Sequence, residues 1–252
     1  MTKIILNGCN GKMGQVITRL ASEDESLEIV AGFDIIKTKE NNYPVFTSPD
    51  EFEGEADVVI DFSHPDSLEN ILAFCRKRRL PIIVCTTGLS NSQKNMMEAA
   101  SKEIPVFFSA NMSLGINLLI DLAKKATALL GDSFDIEIIE KHHNQKIDAP
   151  SGTALAIADA IADDMTGEAE YVYDRHISRK KRKKSEIGIH AVRGGTIVGE
   201  HTVLFAGNDE VIEIKHSAAS KEIFAVGALK AAKFMKGKSA GMYSMKDLIK
   251  EI

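Results

Sequence analysis

The sequence lacks tryptophan, has only three cysteines in 252 residues, and has no long uninterrupted apolar run. Cys9, Cys75 and Cys85 form neither a disulfide framework nor a pair at zinc-ligand spacing, which excludes disulfide-stapled and zinc-finger proteins and favours a reducing cytosol. No window reaches the roughly 18 apolar residues that span a bilayer, so no membrane partner is expected. Met1 leads directly into an apolar strand pattern without room for a cleavable signal, and a cytoplasmic location is therefore predicted.

An excess of positive charge is also missing, because 31 basic residues face 36 acidic ones and the formal net charge is -5. This balance argues against a general nucleic-acid-binding protein. One basic run, residues 179–184, stands apart. It is interpreted first as a solvated loop, with a nucleic-acid patch and long-range steering of anions as the alternatives.

The first half of the chain alternates strand-like and helix-like patterns of a length typical of a parallel sheet with helices on both faces. The predicted strands are 3–6, 27–33, 56–62, 81–85 and 106–109, and the predicted helices are 13–22, 66–77 and 90–101.

The pattern changes after about residue 112. A helix over 115–130 and a strand over 134–140 precede a helix over 154–162, and short strands over 187–192, 196–198, 201–205 and 210–215 are separated by glycine-containing turns. Such spacing predicts a second, α+β domain on a mostly antiparallel sheet, with final helices over 223–234 and 245–249. The predicted fold class is α/β.

A glycine pattern, Gly8-x-x-Gly11-x-x-Gly14, follows the first predicted strand and opens the first predicted helix. Glycines in this context allow the backbone to approach a pyrophosphate, which the helix N-terminus stabilises. Asp34 closes the second predicted strand, where a carboxylate binds the adenosine ribose hydroxyls. The Asp34 carboxylate favours NADH over NADPH. Three nearby lysines are within reach of a 2′-phosphate: Lys12, Lys37 and Lys39. NADH is therefore expected to be at least as good a cofactor as NADPH, with both used.

The segment 137–154 concentrates ionisable chemistry: His142 and His143 are adjacent, Lys146 follows, and Ser151 and Thr153 can cap the next helix. Histidine titrates near neutrality, so this combination predicts proton transfer onto an anionic substrate. The free N–H groups at the helix start suit a carboxylate. Two histidines without a third ligand at a convincing spacing predict no metal site. Catalysis is not assigned to the other histidines: His64, His176, His190, His201 and His216.

Residues 140–154 resemble the catalytic segment of the 4-hydroxy-tetrahydrodipicolinate reductase family, also called dihydrodipicolinate reductases, and residues 8–14, 61–63, 86–88 and 198–202 extend the resemblance over nearly the whole chain. The resemblance implies reduction of 4-hydroxy-tetrahydrodipicolinate to tetrahydrodipicolinate with NADH, NADPH or both, in lysine and diaminopimelate biosynthesis. It further implies a homotetramer.

The resemblance also implies roles for individual residues and domains. His142 and Lys146 carry the proton chemistry, and the substrate dicarboxylate is bound by His143, Ser151, Gly152 and Thr153. The Rossmann-like cofactor domain comprises 1–113 with 222–252, and the substrate-binding and oligomerisation domain comprises 114–221. The cofactor-binding residues are Gly8, Cys9, Asn10, Gly11, Lys12, Met13, Asp34, Cys85, Thr86, Thr87, Ser109, Ala110, Asn111 and Met112. Two further positions stay open: the Asp61–His64 segment as a strand-end cap or a cofactor contact, and Lys221 as a substrate cation or a solvated lysine.

Two alternative functions remain open at this point. Cys85-Thr86-Thr87 is similar to the nucleophile segment of cysteine-dependent semialdehyde dehydrogenases, although the cysteine closes a strand and no helix opens on it to lower its pKa. A non-catalytic dinucleotide-sensing regulator would use residues 179–184 to touch nucleic acid, and salt-sensitive DNA binding would support it.

Overall fold

The computed structural model describes residues 1–36, 40–177 and 179–251. The chain divides into two compact units: unit 1 is Met1–Leu114 with Glu222–Ile252, and unit 2 is Gly115–Lys221. The boundaries predicted from the sequence differ from this division by one residue at the first boundary.

Strands and helices are numbered in chain order. The strands are β1 (Thr2–Asn7), β2 (Leu27–Phe33), β3 (Val45–Phe46), β4 (Val58–Asp61), β5 (Ile82–Val84), β6 (Pro105–Phe108), β7 (Asp135–His142), β8 (Glu170–Val172), β9 (Glu186–Arg193), β10 (Gly199–Ala206), β11 (Val211–Ala218) and β12 (Gly241–Tyr243). The helices are α1 (Lys12–Ser22), α2 (Leu68–Arg78), α3 (Asn91–Ser101), α4 (Leu114–Leu130), α5 (Gly152–Ala162), α6 (Glu222–Met235) and α7 (Met245–Lys250).

Unit 1 is built on a parallel sheet with the strand order β12-β6-β5-β4-β1-β2-β3. Alternation along β1 explains its two cores, because successive side chains of a strand point to opposite faces. Ile4 and Leu6 pack with α1, α6 and α7, whereas Ile5 packs on the other face with α2 and α3. Both faces are therefore covered, as the near-continuous apolar strands predict.

Unit 2 is built on a five-stranded sheet in the order β11-β10-β7-β9-β8. Apolar residues at alternate positions of β7, β9 and β10 face α4 and α5 and form one core: Ile136, Ile138, Ile187, Ile189, Val203 and Phe205. The sheet is mixed, since β10 runs antiparallel to β7 and β11 but β9 runs parallel to β7 and β8. The crossover through α5 permits the parallel pairing of β7 with β9.

The α/β fold class predicted from the sequence is confirmed, and three details differ. The second sheet is mixed and not mostly antiparallel. The strand predicted over 196–198 is wrong, because these residues lie in the connection between β9 and β10. The short strands β3, β8 and β12 were not predicted, since two or three residues show no periodicity.

Candidate active site

The glycine loop between β1 and α1 is formed by backbone packing. Gly8 has a φ of +81°, and a Cβ on it would meet the backbone of Phe62. A Cβ on Gly14 would meet the backbone oxygens of Gly8 and Cys9. Gly11 donates its N–H to the Gly8 oxygen at 3.1 Å and precedes the first turn of α1. The loop thus presents a helix N-terminus at the carboxyl edge of the sheet, which suits an anionic phosphate group.

Asp34 follows β2 and is tied to the glycine loop. Its carboxylate accepts hydrogen bonds from the Asn10 N–H at 2.8 Å and the Ile36 N–H at 3.1 Å. The Asn10 side chain also donates to the Ile36 oxygen and accepts from Asn41 at 2.9 Å. Asp34 is therefore held in place beside the loop with part of its surface exposed. Lys12 is exposed in the same loop, whereas Lys37 and Lys39, both predicted to reach a phosphate, lie outside the described residues.

Asp61 ends β4 and is completely buried. Its carboxyl group accepts from Asn7 Nδ2 at 2.8 Å, from Thr86 Oγ1 at 2.8 Å and from the Ser63 hydroxyl. Burial raises the pKa of Asp61, although these hydrogen bonds act in the opposite direction. Of the two interpretations of this segment, strand-end capping describes the Asp61 side chain, because it joins the carboxyl ends of β1, β4 and β5.

The other predicted cofactor residues follow β5 and β6 at the same edge of the unit 1 sheet. Thr87 is exposed, and Ser109 donates its hydroxyl to the Asn111 oxygen at 3.1 Å. The side chains of Cys9, Cys85 and Met112 are buried in the core, so only backbone groups of these three remain for a ligand. Lys12, Met13, Thr86 and Ala110 complete the predicted set around this edge.

A cluster of polar side chains lies in unit 2 at the ends of β7 and β9 and the start of α5. It comprises Glu140, His142, Ser151, Arg193 and His201, and is called the Glu140 cluster below. The Glu140 carboxylate is fully buried and accepts from His142 Nδ1 at 2.6 Å, from the Ser151 N–H at 3.0 Å and from both terminal nitrogens of Arg193 at 2.7 Å. Burial acts to raise the pKa of Glu140, but these hydrogen bonds outweigh it, and the net pKa is lowered.

Ser151 is the N-cap of α5, and its hydroxyl accepts from the Ala154 N–H at 3.1 Å. His201 Nε2 lies 3.1 Å from the same hydroxyl, and the His201 ring stands edge-on to the His142 ring at a centroid distance of 5.2 Å. Burial lowers the pKa of His201 to about 4, and His142 acts in the same direction. His201 is therefore neutral at neutral pH and adds no positive charge next to His142.

The remaining predicted catalytic and substrate-binding residues are close in the sequence to His142 and Ser151. Lys146 forms an ion pair with Asp148 at 2.7 Å, and its N–H closes a turn onto the His143 oxygen at 3.2 Å. The Lys146 hydrogen bond lowers the pKa of Asp148. The backbone leaves open space beside Gly152, where an added Cβ would have no neighbour within 4 Å. The neighbouring Thr153 begins α5 with it, and His143 is partly buried.

The structure brings together three residues that sequence reasoning did not place in the site: Glu140, Arg193 and His201. Glu140 and His142 are two positions apart on β7, so alternation alone indicates a shared face. Arg193 and His201 reach that face through strand pairing, with His142 opposite Arg193 and Glu140 opposite His201. Only the pairing register carries this information. Lys221 is exposed at the end of unit 2, and neither of its two interpretations is tested.

The basic run is held by carboxylates. Arg182 contacts Asp135 at 2.9 Å and Glu137 at 3.1 Å, and its side chain is only 17% exposed. Lys183 pairs with Glu170 at 3.2 Å and Lys184 pairs with Asp135 at 3.1 Å. The solvated-loop interpretation is therefore incomplete, since part of the run fastens this connection to the edge of the unit 2 sheet.

The described residues, 1–36, 40–177 and 179–251, contain no group of three or more His, Cys, Asp or Glu side chains that could hold a metal ion. Within the same residues, no helix has the length and apolar character needed to cross a membrane.

Comparison with known proteins gives a consistent result. Family models described as dihydrodipicolinate reductase match residues 2–112 (N-terminus) and 115–249 (C-terminus). Proteins called 4-hydroxy-tetrahydrodipicolinate reductase are 55% identical over 251 residues in Caldanaerobacter subterraneus subsp. tengcongensis and 54% identical over 245 residues in Clostridium tetani. These alignments cover 100% and 97% of this chain, and 99% and 96% of the relatives.

Solved structures share the fold. The dipicolinate-bound dihydrodipicolinate reductase from Paenisporosarcina sp. TG-14 has a TM-score of 0.79 at 24% identity, with 97% of each chain covered. A probable dehydrogenase from Thermotoga maritima has a TM-score of 0.65 at 11% identity, with 98% of this chain and 92% of that chain covered.

Proposed function

The chain belongs to the dihydrodipicolinate reductase family and is a reductase of 4-hydroxy-tetrahydrodipicolinate, and we propose that unit 2 supplies the proton of this reaction while unit 1 holds the nicotinamide cofactor. The observation that carries the proposal is the Glu140 cluster, in which one buried carboxylate contacts both His142 and the capped start of α5. The family places the reaction in lysine and diaminopimelate biosynthesis, and a cytoplasmic location fits such a pathway.

The glycine loop supports dinucleotide binding in unit 1. The backbone contacts of Gly8 and Gly14 leave no room for side chains, and the α1 N-terminus offers N–H groups to a pyrophosphate. Asp34, held beside this loop, would accept hydrogen bonds from the ribose hydroxyls. When bound, a reduced nicotinamide supplies the hydride, from NADH, NADPH or both. Thr86, Thr87 and residues 109–112 would hold its nicotinamide end.

The substrate is a cyclic imino dicarboxylate, so its two negative charges need donors. The start of α5, Ser151 to Thr153, offers backbone N–H groups at the positive end of a helix dipole. The open space beside Gly152 allows a carboxylate to approach them. Lys146 adds a cation that is 21% exposed, and His143 completes the set of substrate contacts.

The proton quenches the electron-rich intermediate that hydride addition leaves. With Nδ1 of His142 hydrogen-bonded to Glu140, its Nε2 is the nitrogen left to carry the transferred proton, and it lies beside Gly199, where a Cβ would approach it to 3.1 Å. Lys146 acts with His142 in this step. Cations and helix N–H groups fix the carboxylates during the transfer.

The assay uses enzymatically made 4-hydroxy-tetrahydrodipicolinate with each reduced nicotinamide. We expect His142→Gln and Lys146→Ala each to lower kcat by roughly 10²- to 10⁴-fold, the usual loss when general acid–base help is removed. His143→Ala acts mainly on KM. The matched control is His190→Gln, because His190 also pairs with a β7 carboxylate, Glu137, at 2.7 Å but on the opposite face of the sheet. Near-normal turnover of His142→Gln across the pH profile would contradict the assignment.

The comparisons favour the reductase over both alternatives, and the structure adds a physical reason in each case. Burial raises the pKa of the Cys85 thiol well above its ordinary value, with Asp61 acting in the same direction, so the nucleophilic thiolate is disfavoured. We expect Cys85→Ala to retain most activity, and complete loss in the folded variant would revive the semialdehyde dehydrogenase. The regulator would need free cations in the basic run, but Arg182, Lys183 and Lys184 are paired with carboxylates.

The homotetramer expected from the resemblance is also part of this proposal. The face of the unit 2 sheet that points away from α4 and α5 exposes Val192 by 44% and Val211 by 59%, which gives a partner apolar surface to cover. Light scattering coupled to size-exclusion chromatography decides the oligomeric state, and a monomeric mass at assay concentration contradicts it.

A further inference from the structure

The Glu140 cluster is closed on itself, and this closure distinguishes it from an ordinary ion pair. Glu140 accepts from His142 and from the Ser151 N–H. Ser151 contacts His201 through its hydroxyl, and His201 contacts the ring of His142. The four residues thus form a ring of contacts that starts and ends at one carboxylate. Displacing His142 disturbs the first turn of α5, and displacing that turn disturbs His142.

The two carboxylate oxygens of Glu140 accept hydrogen bonds from different donors. Oε2 accepts from His142 Nδ1 and from Arg193 Nη1, while Oε1 accepts from the Ser151 N–H and from Arg193 Nη2. Arg193 also donates to the backbone carbonyl oxygen of Asp148 at 2.7 Å, in the connection between His142 and Ser151. The guanidinium therefore holds the carboxylate in one orientation by two parallel bonds, a geometry that a lysine does not reproduce.

An ionised carboxylate is an acceptor only, so the hydrogen between Glu140 and His142 belongs to Nδ1 of the imidazole. The hydrogen bonds that lower the pKa of Glu140 keep it ionised at neutral pH. His142 consequently keeps Nδ1–H both before and after it gives up a proton, and Nε2 is the only ring nitrogen that gains or loses one.

We propose that Glu140, held by Arg193, is a positioning residue that fixes the tautomer of His142 and sets its placement relative to the carboxylate-binding start of α5. This inference rests on the proposed function, which assigns proton transfer to His142 and substrate binding to Ser151. It adds Glu140 as a residue that acts through both. Glu140 does not touch the substrate. Its contribution is to the geometry of the proton transfer, so it affects kcat more than substrate binding.

The test compares Glu140→Gln with Glu137→Gln as a matched control. Glu137 lies three positions earlier on β7, on the opposite face, and also binds a histidine and arginines: His190 at 2.7 Å, Arg175 at 2.6 Å and Arg182 at 3.1 Å. We expect Glu140→Gln to lower kcat about 10- to 100-fold, by analogy with the loss caused by removing the carboxylate that orients a metal-bound histidine. KM and the affinity for dipicolinate should change much less, and Glu137→Gln should change neither.

A second measurement needs no turnover. In protein labelled with ¹⁵N-histidine, the His142 Nδ1 of the wild type should give the signal of a protonated nitrogen at neutral pH, and Glu140→Gln should shift population toward the Nε2–H form. Arg193→Lys serves as the second variant if Glu140→Gln fails to fold, and it should show the same shift to a smaller extent. Glu140→Asp should have less than full activity, because its side chain is one methylene shorter and holds the carboxylate farther from His142.

The outcomes separate this inference from the function it rests on. A folded Glu140→Gln protein with normal kcat and an unchanged His142 signal overturns the positioning role, while a strong His142→Gln defect would leave the proposed function intact. Parallel loss of kcat and dipicolinate binding also overturns it, because Glu140 would then only support the binding site. If His142→Gln is fully active, the proposed function fails, and the ¹⁵N signal still decides whether Glu140 fixes the tautomer.

Discussion

Unit 1 buries the carboxyl group of Asp61 completely, unit 2 does the same with that of Glu140, and the two groups are stabilised in opposite ways. Asp61 in unit 1 is bound by the neutral side chains of Asn7, Ser63 and Thr86, and burial raises its pKa. Glu140 in unit 2 is bound by the guanidinium of Arg193 and by His142, and its pKa is lowered despite burial. Both side chains are inaccessible to solvent, but Asp61 lies deeper in the protein than Glu140, so depth of burial and the charge of the donors both contribute to the difference in pKa.

This difference matches the tasks proposed for the two units. A carboxyl group that only joins strand ends needs hydrogen bonds but no fixed charge, and neutral donors meet that need. A carboxylate that holds an imidazole in one tautomer must remain ionised, and a bidentate arginine achieves this.

Removing the arginine should have the largest effect on stability. Arg193→Met leaves Glu140 buried without its cation, and we expect a loss of about 3–5 kcal/mol in the free energy of unfolding. The corresponding change in unit 1, Asn7→Leu, removes a neutral donor from Asp61 and should cost about 1–3 kcal/mol. Urea denaturation measures both. The double variant Glu140→Gln/Arg193→Met should recover part of the loss, and an Asn7→Leu effect as large as that of Arg193→Met contradicts the comparison.

The dependence of stability on pH should have opposite signs for the two groups. Because the folded-state pKa of Asp61 is raised, the wild type loses stability as pH rises from the ordinary Asp value of 3.8 through the raised value, and the disadvantage of Asp61→Asn shrinks over that range. Because the pKa of Glu140 is lowered, its contribution is present above the ordinary Glu value of 4.5 and is lost as pH falls toward the lowered value. The disadvantage of Glu140→Gln should therefore grow as pH rises.

Urea titrations of both variants and the wild type from acid to neutral pH provide the measurement. Each unit of pKa difference between the folded and unfolded states corresponds to about 1.4 kcal/mol. Slopes of the same sign for Asp61→Asn and Glu140→Gln would show that burial alone governs both groups.

The smallest expected effect concerns Asp34, a carboxylate of unit 1 that is only partly buried. We expect NADH to be at least as good as NADPH, with both used, because one ribose contact gives modest discrimination and Lys12 lies in the same loop. The neighbouring Ile35 and Ile36 are 88% and 52% exposed and carry no charge to offset the acid. Paired kcat/KM values decide the preference, with Asp34→Ala as the control that should shift it toward NADPH. An NADPH preference above about 1.4 kcal/mol, or tenfold, contradicts the expectation.

Local patterns predicted much of the fold and two of the five residues of the Glu140 cluster. The strand, glycine turn and helix at residues 2–22 follow from periodicity and from the conformational needs of Gly8 and Gly14. His142 and the Ser151 cap were visible because they lie in one segment. Arg193 and His201 were not, because they lie 53 and 61 positions from Glu140 and reach it only through the register of β9 and β10.

The wrong strand over 196–198 has a similar origin. Gly195 and Thr196 form a turn, and the Gly195 oxygen accepts from the Asn144 N–H at 3.2 Å while the Gly194 N–H donates to the His142 oxygen at 2.9 Å. The backbone after β9 is therefore hydrogen-bonded to the segment that contains His142 and Asn144. A pattern of β-branched residues such as Thr196 to Val198 predicts a strand where no partner strand is in place.

The buried cysteines make the rate of thiol labelling a measure of local opening in one unit alone. Cys9, Cys75 and Cys85 are all buried, all lie in unit 1, and burial raises the pKa of each thiol, that of Cys9 to about 11. A thiol-modifying reagent must wait for the surrounding core to open. The rate at which the native protein is labelled at its thiols therefore measures how often the core of unit 1 opens. Opening of unit 2 does not contribute to this rate, because unit 2 contains no cysteine.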